Sequence, residues 1–110
     1  MAAEQDAQDR YVRIAELEID PAQLENFKAA IKESVETSVR VEPGVLALYA
    51  VAEKDDPARL RVFEIYTDAE AYRTHLDTPH FRKFRATTET MVKSRKLLDA
   101  VPVAMSAKGR

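Results

Sequence analysis

Two histidines lie close together in this sequence, and imidazole is the side chain best suited to move a proton near neutral pH. His75 lies just before Leu76, at the edge of an apolar helical stripe, so it is expected to be partly buried. His80 is the second residue of a helix predicted to begin at Pro79, where the helix dipole disfavours the protonated imidazole. A neutral imidazole can accept a proton, so these residues are candidates for a general base. The alternative for His80 is an ordinary solvated position.

Glu64 is the second informative residue, because it lies in the middle of a strand pattern that is otherwise apolar. A carboxylate in such a position is costly unless it is paired or lines a cavity. If its face points toward the helices, His75 is the expected partner, and the pair would fix the imidazole tautomer and raise its basicity. We therefore predict a Glu64–His75 dyad that acts as a general base. The alternatives are a Glu64 that faces solvent or pairs with Arg13 or Arg61.

Several aromatic side chains are expected to wall an apolar substrate pocket near these residues, although aromatics at helix and strand spacing more often belong to the core. They are Tyr49, Tyr66, Phe81 and Phe84, with His80 as a further substrate-binding residue. No metal site is expected, because histidines five positions apart do not form a helical ligand pair and no third ligand is apparent.

The composition excludes several classes of site and partner. The 110 residues include no cysteine and only two glycines, which rules out thiolate-bound metals, thiol nucleophiles and glycine-rich phosphate loops. Seventeen basic against nineteen acidic residues give a net charge of −2, so nucleic acid is not an expected partner. No apolar run approaches the ~20 residues of a membrane span, and the first residues lack a signal-peptide core. A cytoplasmic protein is therefore expected.

A single domain is expected to position the candidate residues. Residues 10–103 carry the periodic apolar patterns, whereas residues 1–9 and 104–110 are polar and are predicted to be mobile tails. Apolar runs rich in β-branched residues predict four strands. These strands cover residues 11–19, 45–52, 60–66 and 96–101.

Three helices are predicted between the strands. Asp20 is expected to cap the first helix, which continues to about Val39. Thr67 is expected to cap the second helix, and Thr78 restarts the chain as a third helix that ends near Lys93. The order β-α-β-β-α-α-β is that of an α+β fold of the ferredoxin-like, split-βαβ type.

The second predicted strand is apolar on both of its faces. Leu46, Leu48 and Ala50 alternate with Tyr49 and Val51. One layer of helices covers only one face of a sheet, and a large exposed apolar patch usually marks an interface. We therefore predict a homodimer that packs sheet to sheet, the alternative being a monomer with a partly apolar exposed sheet.

Three segments together resemble a known family. Residues 42–46 (EPGVL), 63–66 (FEIY) and 75–81 (HLDTPHF) are similar to those of the antibiotic biosynthesis monooxygenases, above all to the quinol monooxygenase and autoinducer-2-degrading members. The resemblance extends from Tyr11 to about Val103. It implies a dimeric α+β barrel with a pocket between each sheet and its own helices.

The resemblance also implies an activity. Several members of the family oxygenate phenols, quinols or anthrones without flavin, metal or haem, because the deprotonated substrate reduces O2 directly. For this chain it implies a cofactor-independent monooxygenase, with His75 and Glu64 in the pocket and His80 and Phe81 at its rim. The haem-degrading branch is not matched, since its asparagine, tryptophan and haem-ligating histidine correspond to Ala15, His75 and Arg85.

Two other functions stay open. One is an isomerase or lyase that acts through an enolate on a small carbonyl compound, with or without a phosphate group. It would use the same base, with Arg13 and Arg61 as candidate anchors for the anion. The other is a ligand-binding dimer without catalytic activity.

Overall fold

Residues 9–109, the part of the chain that the structure describes, form a four-stranded antiparallel sheet with helices packed on one face. The order across the sheet is β2-β3-β1-β4, so β4 lies at an edge. The predicted α+β, ferredoxin-like fold is confirmed in this computed structural model. Its strands are β1 (Tyr11–Ile19), β2 (Val45–Ala52), β3 (Arg59–Tyr66) and β4 (Val92–Ala100).

Three α-helices lie on the covered face of the sheet. They are α1 (Leu24–Val41), α2 (Ala69–Leu76) and α3 (Pro79–Thr88), and a short 3-10 turn (Pro21–Gln23) precedes α1. The predicted tail over residues 1–9 falls almost entirely outside the described residues, and residues 104–109 have no regular structure.

The boundary between α3 and β4 differs from the prediction. The helix ends at Thr88, and β4 begins at Val92 rather than at Lys96. Met91 stands between the two elements, and its carbonyl accepts a hydrogen bond from the Asp20 amide at 2.8 Å. Met91 and Val92 do pack against the core, as their apolar side chains predict. Met91 does so from a turn and Val92 from a strand. A pair of apolar residues is too short to distinguish a helical pattern from a strand pattern.

The cap of α2 is also one residue from the predicted position. Asp68, not Thr67, caps the helix, since its carboxylate accepts a hydrogen bond from the Ala71 amide at 2.8 Å. Thr67 instead donates its backbone N–H to the Gly44 carbonyl at 2.9 Å. This bond fastens the start of α2 to the loop that leads into β2.

Alternation along β1 defines which face of the sheet is covered. Arg13, Ala15, Leu17 and Ile19 are buried on the helix side, while the residues between them are partly exposed on the other side. The register pairs Arg13 with Glu64, so Glu64 also faces the helices. The buried core cluster consists of Ala15, Leu17, Ile19, Phe27, Ile31, Leu60 and Val62.

Candidate active site

Glu42 joins both histidines of the chain in one buried cluster. Its Oε2 atom lies 2.9 Å from Nδ1 of His75 and 2.5 Å from Nε2 of His80. The side chains of Glu42, His75 and His80 are 10%, 6% and 17% exposed. A carboxylate this buried is stabilised by its hydrogen-bond donors, and here two imidazoles supply them.

Local backbone chemistry places these three residues together. The residue before a proline is held in an extended conformation, so Glu42, which precedes Pro43, leaves α1 at φ −104° and ψ 111°. Thr78 caps α3 as predicted, since its hydroxyl accepts a hydrogen bond from the Phe81 amide at 3.2 Å. His75 and His80 therefore lie on either side of the break between α2 and α3, facing the loop that carries Glu42.

Gly44 allows α2 to approach this loop. A Cβ atom built at Gly44 would lie 2.5 Å from the Cβ of Ala71, closer than side-chain carbons can pack. The close approach brings the helix that carries His75 against the loop that carries Glu42. The glycine is therefore needed for the geometry of the cluster.

The hydrogen bonds assign the tautomer of His75. A carboxylate only accepts hydrogen bonds, so Nδ1 of His75 and Nε2 of His80 both donate to Glu42. In the neutral ring the lone pair is then on the other nitrogen, Nε2. None of the described residues forms a hydrogen bond with this Nε2. The atom is also not one of the fully buried polar atoms without a partner. His75 thus keeps one ring nitrogen available to a substrate, as a general base requires.

The predicted Glu64–His75 hydrogen bond is wrong, although both residues line the same pocket. The carboxylate of Glu64 instead accepts a hydrogen bond from the Tyr66 hydroxyl at 2.7 Å. Burial of Tyr66, followed by the charge and the hydrogen bond of Glu64, raises the pKa of this phenol well above its ordinary value. Tyr66 therefore stays protonated at neutral pH. The partner that the sequence-based prediction missed is Glu42.

A pocket of about 370 Å³ opens between the sheet and the helices, within the size range of small-molecule sites. His75, Glu64, Tyr66, Phe81 and Phe84 line it. The rest of its wall is largely apolar and includes members of the core cluster, namely Ala15, Leu17, Phe27, Ile31 and Val62.

Two predicted substrate-binding residues do not line this pocket. Tyr49 is 58% exposed and pairs with Phe63, on the face of the sheet away from the helices. A register shift between Val45 and Ala47 causes this, because it places Val45 and Tyr49 on opposite faces despite their even spacing. His80 points toward Glu42 and lines a separate cleft between α1 and α3.

Arg13 adds a buried positive charge to the pocket. Its side chain is 8% exposed, and its guanidinium lies 4.4 Å from the centre of the Tyr72 ring. The nearest carboxylate contact is to Asp99, where Nε and Oδ1 are 3.9 Å apart, too far for a hydrogen bond. Nε of Arg13 consequently has no hydrogen-bond partner among residues 9–109.

Glu42, His75 and His80 are also of the types that bind metal ions, and their donor atoms lie within 4.8 Å of one another. Glu42 is thus a candidate third ligand, which the sequence did not reveal. Two ligands of one zinc ion, bound at about 2.0–2.2 Å in tetrahedral geometry, lie about 3.3 Å apart. The 2.9 and 2.5 Å separations to Glu42 are shorter and fit hydrogen bonds.

The fold and the site define a small α+β domain with a buried histidine that lines a largely apolar pocket. The profile of the family "Antibiotic biosynthesis monooxygenase" matches residues 10–87, and the chain belongs to this family. No significant match was found among curated proteins.

Solved structures agree with this assignment. A protein of Bacteroides thetaiotaomicron VPI-5482 named for the same family is 45% identical, with a TM-score of 0.90 over 94% of this chain and 99% of that one. Another, from Nitrosomonas europaea, is 26% identical, with a TM-score of 0.84 over 91% and 96% of the two chains. A Lactobacillus acidophilus NCFM protein, named as a putative monooxygenase, is 32% identical with a TM-score of 0.82, over 84% of this chain and 44% of its own length.

Among residues 9–109, no helix is long and apolar enough to cross a membrane.

Proposed function

We propose that this protein is a cofactor-independent monooxygenase that oxidises a small phenolic or quinol-type substrate with O2. The observation that supports it most is His75, whose Nδ1 is held by Glu42 and which lines an apolar pocket. In this reaction the base removes a phenolic proton, and the electron-rich anion reduces O2 directly. A quinol then becomes a hydroxyquinone, with one oxygen atom entering the product and the other leaving as water.

The residues of the pocket have distinct roles in this proposal. His75 is the base, and Glu42 is a positioning residue that holds its ring and stabilises the imidazolium formed by proton transfer. The aromatic rings of Phe81 and Phe84 keep water away from the anion, which strengthens every electrostatic interaction inside the pocket. Glu64 accepts a hydrogen bond from Tyr66 and does not contact the base.

The test is oxygen uptake by metal-stripped protein over a panel of quinols and hydroxyanthrones, with autoxidation subtracted. We expect uptake above background that His75→Ala loses by a factor of about 10²–10⁴, the usual contribution of a general base. Thr74→Ala, an exposed position on the same helix, is the matched control and should keep full activity. Wild-type protein that consumes no oxygen with any member of the panel would contradict the proposal.

A second candidate function is an isomerase or lyase that works through an enolate. The buried charge of Arg13 favours it, since an enolate or a phosphate needs a cationic partner. It would use the same base, but turnover would not depend on oxygen. A carbonyl substrate converted at equal rates with and without O2 would therefore replace the first proposal by this one.

We also propose that the protein forms a homodimer through the uncovered face of the sheet. Exposed apolar residues cluster on one half of that face, including Tyr49, Phe63 and Leu98. On the other half, Arg61 forms ion pairs with Glu16 at 3.6 Å and with Glu53 at 3.1 Å. An apolar patch bordered by charges is typical of an interface.

Light scattering tests the dimer, with an expected mass of twice 12.4 kDa for the wild type. Phe63→Glu places a charge in the apolar patch and should give monomers. Val39→Glu makes the same kind of change at an exposed valine of α1 and should leave the dimer intact. A monomeric wild type at micromolar concentration would exclude the proposed interface.

A further inference from the structure

Arg13 is a buried charge that the proposed mechanism has not yet used. Arg13 lines the pocket, yet none of the described carboxylates lies within hydrogen-bond distance of its Nε. Removing a charge from water is costly unless a partner of opposite charge compensates for it. Asp99 compensates little, because it is 76% exposed and 3.9 Å away.

The described groups around Arg13 leave its Nε without a hydrogen bond. Glu64, opposite Arg13 on β3, has an oxygen engaged by the Tyr66 hydroxyl. On β4 the facing charge is that of the exposed Asp99, and on α2 the ring of Tyr72 covers one side of the guanidinium. Arg13 also lines the pocket, as do Arg85 and Arg95.

Arg13 and the base lie on two sides of the same aromatic pair. The Tyr72 ring, which contacts Arg13, is 5.3 Å from the Tyr66 ring, and the Tyr66 ring is 5.6 Å from the ring of His75. All four side chains line one pocket. His75 and Arg13 can therefore both face a ligand that occupies this pocket.

We propose that Arg13 binds the oxygen anion of the deprotonated substrate, so that the pocket selects phenols and enols that ionise over neutral analogues of the same shape. The inference rests on the proposed function for the identity of the base. The binding of an anion by Arg13 does not require oxygen chemistry. A guanidinium in a pocket with apolar walls interacts more strongly with an anion than it would in water.

The experiment uses a nitrophenol as the probe, because its neutral and ionised forms differ in visible absorbance. Binding is measured without oxygen, across the pH range in which the probe ionises. We expect wild-type protein to bind the anion at least about tenfold more tightly than the neutral phenol, which lowers the pKa of the bound probe by about one unit. Nitroanisole, the methyl ether that cannot ionise, should bind with equal affinity across the same range.

Variants then assign the effect to one residue. Arg13→Met and Arg13→Gln should abolish the preference for the anion, and Arg13→Lys should keep part of it. Arg82→Gln removes the same charge from an exposed position of α3 outside the pocket, and it should keep the full preference. Circular dichroism shows which variants are folded, and the comparison of nitrophenol with nitroanisole on wild-type protein needs no variant at all.

Three outcomes would overturn the inference: equal binding of the phenol and its anion by wild type, an anion preference that survives in folded Arg13→Met protein, or no binding of the probe. Because oxygen is absent, these results are independent of the oxygen-uptake assay. A protein that prefers the anion through Arg13 but consumes no oxygen would refute the oxygenase and keep the anion site. Oxygen uptake without any anion preference would keep the oxygenase and refute the anion site.

Discussion

Two carboxylates lie at the candidate active site, and their surroundings differ. Glu42 leaves the end of α1 and accepts hydrogen bonds from two imidazoles, so it fixes which nitrogen of His75 is free. Glu64 lies within β3 and accepts a hydrogen bond from the phenol of Tyr66, whose pKa is raised by burial and then by this carboxylate. One carboxylate orients the candidate base, and the other accepts a hydrogen bond from a buried phenol. The role of a buried carboxylate is thus set by the donor that faces it.

The largest expected effect separates the two carboxylates directly. Glu42→Gln replaces an acceptor of two hydrogen bonds by an amide that cannot stabilise an imidazolium, so turnover should fall by about 10²–10⁴. Glu64→Gln does not touch the base and should reduce turnover by less than about tenfold, or about 1.4 kcal/mol in activation free energy. Steady-state oxygen uptake by both variants measures the difference. Equal losses in the two variants would show that Glu42 has no special relation to His75.

The next effect perturbs the Glu42 cluster through the backbone alone. Gly44→Ala introduces a methyl group 2.5 Å from the Ala71 Cβ, which should cost about 1–3 kcal/mol of unfolding free energy. Gly109→Ala is the matched control, because nothing lies within 4 Å of a Cβ at that position. Thermal unfolding gives the stability, and the NMR signals of the His75 ring report the change at the site. Unchanged stability in Gly44→Ala would show that α2 does not need this close approach.

The smallest effect concerns the hydrogen-bonded pair of Glu64 and Tyr66, and it appears only at high pH. The pKa of Tyr66 is raised in the folded state, so stability is complete below about pH 10 and falls above it, where the unfolded chain releases the phenolic proton. The loss from this residue approaches about 1.4 kcal/mol per pH unit. Denaturant unfolding between pH 8 and pH 11 should show a smaller slope for Tyr66→Phe than for wild type. Identical slopes would mean that Tyr66 ionises equally in both states.

The fold was largely predictable from the sequence because its signals are local. The strands over residues 11–19 and 45–52 have the predicted bounds, since β-branched runs and flanking turn residues mark both of their ends. The end of α3 was not predictable, because the apolar side chains of Met91 and Val92 are compatible with a helix and with a strand. Tertiary pairing of Val92 with Ile19 decides between the two.

The candidate site was predictable only in part. The apolar stripe predicted a partly buried His75, and the family resemblance implied that it lies in the pocket. Its partner depends on where the loop after α1 lies in three dimensions. The residue pair Glu42-Pro43 is a local signal for the end of a helix, not for a contact with residues 33 and 38 positions further on. Tyr49 lies outside the pocket for another reason. A single register shift reverses the faces of a strand that is apolar on both sides.

The pocket shares its walls with the hydrophobic core, and this links recognition to folding. Ala15, Leu17, Phe27, Ile31 and Val62 belong to both, so the core of the domain borders an opening of about 370 Å³. A ligand that fills the opening completes the packing around these side chains. At one hundred times its dissociation constant it would add about 2.7 kcal/mol to the stability of the folded state. The melting temperature therefore measures occupancy, and an unidentified substrate can be sought by the heat resistance it confers.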